Sequence, residues 1–170
     1  LFTKSVVADT VKSIVDRIFT VEQASWLLVL VAALGFTLQI LADFSAYTDL
    51  ARGLSLLLGL RLSPNFRQPY LAVSIKDFWS RWHMTLSTWL RDYLFLPLSF
   101  AVSRRLPRPR YLGLAAERWI YAAATAATFL VAGAWHGEGW GFIVWGLLFG
   151  AYLIAANVTA SNTISIAYTA

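Results

Sequence analysis

From Trp26 to Ala42 the chain runs 17 residues with Gln39 as its one strongly polar side chain. At 1.5 Å per residue this is about 25 Å of helix, close to the roughly 30 Å hydrocarbon core of a bilayer. Such a run reads as a first membrane span. The composition agrees: 58% of the 170 residues are hydrophobic and 15% aromatic, with a mean hydropathy of +0.60, against roughly 45–50% apolar residues in a soluble domain. Eight Trp and seven Tyr suit the headgroup layers that flank the core. The net charge of +5 therefore points to a lipid bilayer with anionic headgroups as partner, and not to nucleic acid. The chain has no Cys, which excludes a disulfide, a thiolate metal site and a cysteine nucleophile, and two His are too few for most metal sites, so no metal is expected.

Along the chain, Val7, Val11, Ile14, Val15 and Ile18 recur at helical spacing while Lys4, Lys12, Asp16 and Arg17 fall elsewhere, predicting an amphipathic helix over 1–22. Spans are expected at 26–42, 119–135 and 140–156, and a half-span at 50–60. Ser74 followed by Asp77 has the spacing of a capping box and predicts an amphipathic helix over 74–92, with Trp79, Trp82, Leu86 and Trp89 on one arc and His83 at its border. Pro97 is expected to break or kink the continuation. Arg104, Arg105, Arg108 and Arg110, interleaved with Pro107 and Pro109, make 103–118 a basic loop that the positive-inside bias assigns to the cytoplasm. The chain opens on Leu1 and ends in the polar run 161–170, and is expected to be part of a longer protein. The fold class predicted is all-α, a polytopic integral membrane protein with broken and re-entrant helices.

Gly133-Ala134-Trp135-His136-Gly137-Glu138-Gly139-Trp140-Gly141 carries four Gly in nine residues, a helix break. Backbone freed at membrane depth is tolerated where protein or a water-filled cavity receives it, so a break that carries His and Glu predicts a lined cavity. His136 is then a candidate general base, since an imidazole titrates near neutrality and can take a hydroxyl proton; as an alternative it is an interfacial residue in a plain loop. His83 is a second candidate, or a satisfied residue at the edge of an amphipathic face. Asp49 and Arg52 are spaced to form a structural ion pair. Arg61, Arg67, Arg81 and Arg91 fit either phosphate contacts or anchors that reach for the interface.

Taken in order, these residues resemble the membrane-bound O-acyltransferases, in the branch that acetylates alginate and transfers D-alanine to teichoic acid. The run Asp43-Phe44-Ser45-Ala46-Tyr47-Thr48-Asp49, the segment Asn65-Phe66-Arg67-Gln68-Pro69-Tyr70, the stretch Asp77-Phe78-Trp79-Ser80-Arg81-Trp82-His83 through Trp89-Leu90-Arg91-Asp92-Tyr93, and Trp135-His136-Gly137 with Val144-Trp145-Gly146 follow that family's motifs from about residue 43 to 150. Two departures stand out: Ser99-Phe100 where the family has paired Gly, and Phe149-Gly150 where it often has His-Gly.

The resemblance implies transfer of a short acyl group, such as acetyl, from a cytoplasmic thioester to a hydroxyl of an exported polysaccharide such as alginate. It makes His136 and His83 the catalytic candidates, and Tyr47, Asp49, Arg81 and Trp135 the substrate-binding ones. No tightly bound cofactor is expected. The co-substrate would be an acetyl-CoA or an acyl carrier protein, and the partners the polysaccharide acceptor or an extracytoplasmic acyltransferase. The implied location is the bacterial inner membrane, multi-pass. Competing classes are a non-catalytic scaffold and a transporter-like subunit of a polysaccharide export complex, although the chain has no inverted repeat.

Overall fold

The structure, a computed structural model, describes residues 2–159, so the polar run 161–170 lies outside the described residues. The chain divides into two compact units, residues 1–67 and 68–170.

In the first unit a π-helical turn, Thr3–Ala8, runs into α1, Asp9–Phe19, and α2 follows over Trp26–Leu57. Helix thus covers 3–19 of the expected 1–22, with Val15 buried and closely facing Gly35 of α2, while Val7 and Ile14 of the expected apolar face are exposed. Ser25 caps α2, its hydroxyl oxygen accepting from the Leu28 amide at 3.3 Å. The separate span 26–42 and half-span 50–60 are corrected: α2 is one helix of 32 residues, about 48 Å long. The polar residues between them do not interrupt it. Thr48 and Ser55 donate to carbonyls three residues back at 2.9 and 2.8 Å, and Asp49 pairs with Arg52 at 3.2 Å. The helix stops only at Gly59, whose φ of 73° is a left-handed value open to glycine. There the Leu60 amide reaches back to the Ser55 carbonyl and the Gly59 amide to that of Leu56, the Schellman pattern.

The second unit opens with a 3-10 turn, Pro69–Leu71, then α3, Ile75–Trp79, and α4, Met84–Leu90; a π-helical turn, Arg91–Phe95, leads into α5, Leu96–Ser103. The capping prediction is realised at Ser74, whose hydroxyl oxygen accepts from the Asp77 amide at 3.0 Å, while the Asp77 carboxylate accepts from the Val73 amide at 3.2 Å. The single helix 74–92 is corrected to two short ones. His83 adopts φ 43° and ψ 52°, a left-handed conformation uncommon for a residue with a Cβ, and so ends one helical ladder and starts the next. Pro97 does not break the chain either. It falls in the first turn of α5, where the wider π turn ahead removes the need for its missing N–H.

The basic segment 103–118 is not wholly a loop. Arg110–Tyr111 (β1) pairs antiparallel with Leu114–Ala115 (β2) around Leu112 and Gly113, both at positive φ, as a two-residue hairpin turn of the primed kind requires.

Helices α6, Ala116–His136, and α7, Trp140–Thr159, complete the unit. The Gly-rich break is shorter than predicted: Gly133 ends no helix, and only residues 137–139 separate α6 from α7. Gly133 and, beyond the break, Gly146 serve packing. A Cβ on Gly133 would lie 2.5 Å from the Phe142 carbonyl oxygen, and one on Gly146 would overlap the Phe129 carbonyl oxygen. The two backbones therefore touch through faces where only glycine fits, a small-residue contact of the kind that joins helices in lipid. α2 and α7 are each long and apolar enough to cross a membrane.

Candidate active site

Within the second unit, α3, α4, α6 and α7 enclose a cavity of about 210 Å³. Its wall on α6 is one stripe, Tyr121, Thr125, Thr128, Ala132 and His136, spaced i, i+4, i+7, i+11 and i+15. The stripe is about 22 Å long. α4 runs antiparallel to it: His83 lies toward the His136 end, and Phe95 packs against Tyr121 with ring centroids 5.8 Å apart at the other. Trp79, Trp82, Leu86 and Trp145 supply most of the apolar wall, with His83 half-buried and His136 exposed at its edge.

The Nδ1 of His136 lies 2.6 Å from the Ala132 carbonyl oxygen. A carbonyl oxygen can only accept, so Nδ1 carries the proton and the neutral ring keeps its lone pair on Nε2. This bond fixes the tautomer that a general base needs. The ring is also held by the Trp145 indole, with centroids 4.8 Å apart, and by Phe142 at 6.4 Å. Gly137 lets Phe142 come this close, because a Cβ there would sit 2.5 Å from its ring.

The turn at His83 brings the second imidazole to the same cavity. Burial first, and then the facing His136, push the His83 imidazole below the ordinary histidine range, which favours the neutral form. The positive backbone φ is what separates His83 from the arc that its helical spacing predicts.

The structure brings His136 and His83 to one cavity and leaves Arg81 and Trp135 of the same unit off its wall. Trp135 is 66% exposed; one residue from His136 on a helix, its side chain is rotated by about 100°, and it meets the imidazole edge-on at 5.1 Å. Arg81 is tied to Asp77, its Nε donating to the carboxylate at 2.8 Å. That contact, with the Val73 amide, holds the Asp77 carboxyl below its usual range. Tyr47 and Asp49 belong to the first unit, where Tyr47 edges a shallow hollow with Lys4 and Asp43 and Asp49 forms the predicted ion pair. Sequence reasoning passed over Tyr121, Thr125 and Thr128, whose single signal was their common helical face.

The comparisons with known proteins agree with the motifs. Over 167 residues the chain is 39% identical to a probable alginate O-acetylase of Pseudomonas fluorescens, an overlap of 95% of this chain and 30% of that protein. It is 39% identical over 154 residues to a peptidoglycan O-acetyltransferase of Helicobacter pylori, covering 90% of this chain and 27% of the relative. It is 31% identical over 129 residues to a teichoic acid D-alanyltransferase of Bacillus subtilis, covering 72% and 30%. The chain thus spans under a third of the length of these curated relatives. A family model matches residues 4–169, and the chain belongs to the membrane-bound O-acyltransferase family.

Proposed function

We propose that this chain carries the catalytic histidine segment of a multi-pass bacterial inner-membrane enzyme that moves a short acyl group, acetyl in the simplest case, from a cytoplasmic thioester to a hydroxyl of an exported polysaccharide such as alginate. The observation that carries this reading is the hydrogen bond from His136 Nδ1 to the Ala132 carbonyl, which leaves Nε2 as the basic atom of a ring on the wall of a largely apolar cavity. The relatives named for alginate and peptidoglycan O-acetylation support the acetyl group and the saccharide acceptor.

The acceptor hydroxyl gives its proton to Nε2 as its oxygen bonds to the thioester carbonyl carbon. The C–O bond forms, the carbonyl π electrons move to oxygen, and the oxyanion then re-forms the carbonyl as the C–S bond breaks. The thiolate leaves and takes the proton back from the imidazolium, so the base is regenerated. His83, neutral at the same cavity, orients the thioester or the attacking hydroxyl.

The test is acyl transfer from a radiolabelled acetyl thioester to polysaccharide in membranes holding the full-length protein. Label should pass to polysaccharide hydroxyls as an alkali-labile ester, and His136→Ala should abolish this. No ester in wild-type membranes with any thioester would overturn the reading.

A further inference from the structure

Arg91 lines the cavity, and its place on the wall gives it a use that the two histidines do not share. It stands eight residues beyond His83, at the start of the π-helical turn that continues α4, about 12 Å further along the wall, toward the end where Phe95 meets Tyr121. Its Nε donates to the Asp92 carboxylate at 2.7 Å, which orients the guanidinium and leaves its two terminal nitrogens without a hydrogen-bond partner among the described residues. A planar fork held by one edge and open at the other is suited to bidentate contact with a phosphate. The side chain is 61% exposed, so this end of the cavity opens to solvent.

Between that fork and the imidazoles the wall is not uniformly apolar. Ser87 donates its hydroxyl hydrogen to the Trp82 carbonyl at 3.0 Å, and Thr128 donates to the Ala124 carbonyl at 2.7 Å. Their oxygens remain as acceptors on the cavity wall, a lining that suits a chain bearing amide N–H groups better than a hydrocarbon. The basic segment and α6 fix the sense of entry. α6 begins immediately after the hairpin at Arg110–Ala115 and ends at His136, so the Arg91 end is the end nearer the basic loop.

Resting on the proposed acyl transfer, we propose that Arg91 anchors the phosphate of a phosphopantetheine-type thioester donor and thereby lays the arm along the cavity wall toward the two imidazoles. A phosphopantetheine arm has 13 bonds from phosphorus to sulfur. A peptide chain extends about 3.3–3.6 Å for every three backbone bonds, so the arm reaches roughly 15 Å, enough to cover the about 12 Å of wall between Arg91 and His83.

The experiment compares acetyl-phosphopantetheine with acetyl-pantetheine, which lacks the phosphate, as donors to the full-length enzyme and to its Arg91→Gln and Arg91→Lys variants. Arg91→Gln should raise KM for the phosphorylated donor about tenfold or more, should leave KM for the unphosphorylated donor unchanged, and Arg91→Lys should restore part of the loss. A loss of equal size with both donors, or none with either, would overturn the proposal, because a merely structural arginine does not read the phosphate. If the wild type transfers acetyl from neither of these donors nor from acetyl-CoA or an acetylated carrier protein, the acyl-transfer reading itself has failed. Repeating the comparison with acetyl-CoA and an acetylated carrier protein identifies which source of the arm the enzyme uses; an Arg91 effect confined to one of them supports the anchor and names the donor, and an effect on neither overturns it.

Discussion

His136 and Trp145 hold their rings 4.8 Å apart at a tilt of 52°, across the short break that joins α6 to α7. In the proposed reaction the imidazole becomes an imidazolium when it takes the acceptor's proton, and a cation beside an indole is favoured by about 0.5–2 kcal/mol. Trp145→Leu should therefore lower kcat roughly 2- to 30-fold with little change in KM, and Trp145→Phe should keep most of the rate. Steady-state transfer kinetics on the two variants check this; equal losses in both would assign Trp145 to packing alone.

The His83 imidazole gives a pH dependence. Its folded-state value lies below histidine's ordinary 6.5, through burial and then the facing His136. Above about 6.5 neither folded nor unfolded chain carries the proton; below it the unfolded chain takes it first. Stability should thus fall as pH is lowered from about 6.5 toward the folded value. Thermal unfolding in detergent from about pH 7 to about pH 5 should show this slope, and His83→Asn, which tolerates the left-handed backbone, should flatten it.

The basic segment predicts the orientation. Four Arg between 104 and 110, next to apolar helices, dominate the positive-inside bias. Ser103→Cys should stay unlabelled by an impermeant thiol reagent added to intact cells and label after permeabilisation. Ready labelling from outside would invert the topology and, with it, the direction from which the donor enters.

How far the sequence could be read depended on whether a local signal marked each feature. Ser74 and Asp77 announced a helix start because a cap is made by side chains at fixed spacing, and Val7 to Ile18 announced an amphipathic helix because burial follows periodicity. The division of 74–92 was hidden because Phe78, Trp82, Leu86 and Trp89 keep helical spacing across the break, and the residue that turns there is His83 rather than Gly or Asn. The unbroken α2 was hidden for the opposite reason: Asp43, Asp49 and Arg52 look like a boundary, yet Asp49 and Arg52 satisfy each other within one turn. The hairpin at Leu112-Gly113 was missed because Leu is an unusual partner for a turn with two positive φ angles. At the site, both histidines were legible as chemistry and motif. The hydroxyl-bearing stripe of α6 was not, since only the packing of α4 and α7 defines which face of that helix meets the cavity.

The α6–α7 contact predicts a contrast between neighbouring glycines. A Cβ at position 146 would overlap the Phe129 carbonyl oxygen, whereas one at Gly141 meets nothing within 4 Å. Gly146→Ala should destabilise the protein by about 1–3 kcal/mol, the usual cost of overpacking. Gly141→Ala should be neutral or slightly stabilising, because alanine favours the helix by roughly 1 kcal/mol over glycine. Melting temperatures of the two variants in the same detergent settle the comparison; equal values would mean that α6 and α7 are not in backbone contact.

The order of the two histidine defects tests the catalytic assignment. His136 has the fixed tautomer, with Nδ1 committed to Ala132, and is the residue proposed to accept the acceptor's proton; His83 lines the same cavity and is proposed to support it. Loss of a general base costs about 10²–10⁴-fold, and loss of a supporting group costs less. In the full-length protein His136→Ala should abolish acyl transfer while expression, membrane insertion and melting temperature stay near wild type, and His83→Ala should leave a measurable fraction of the rate. His136→Gln adds a control, since its amide can still donate to the Ala132 carbonyl but offers no basic nitrogen, so it should be as inactive as the alanine variant. Transfer from a labelled thioester to polysaccharide, normalised to folded protein, gives the ranking. Near wild-type transfer in well-folded His136→Ala, or a larger loss at His83 than at His136, would move the base away from His136.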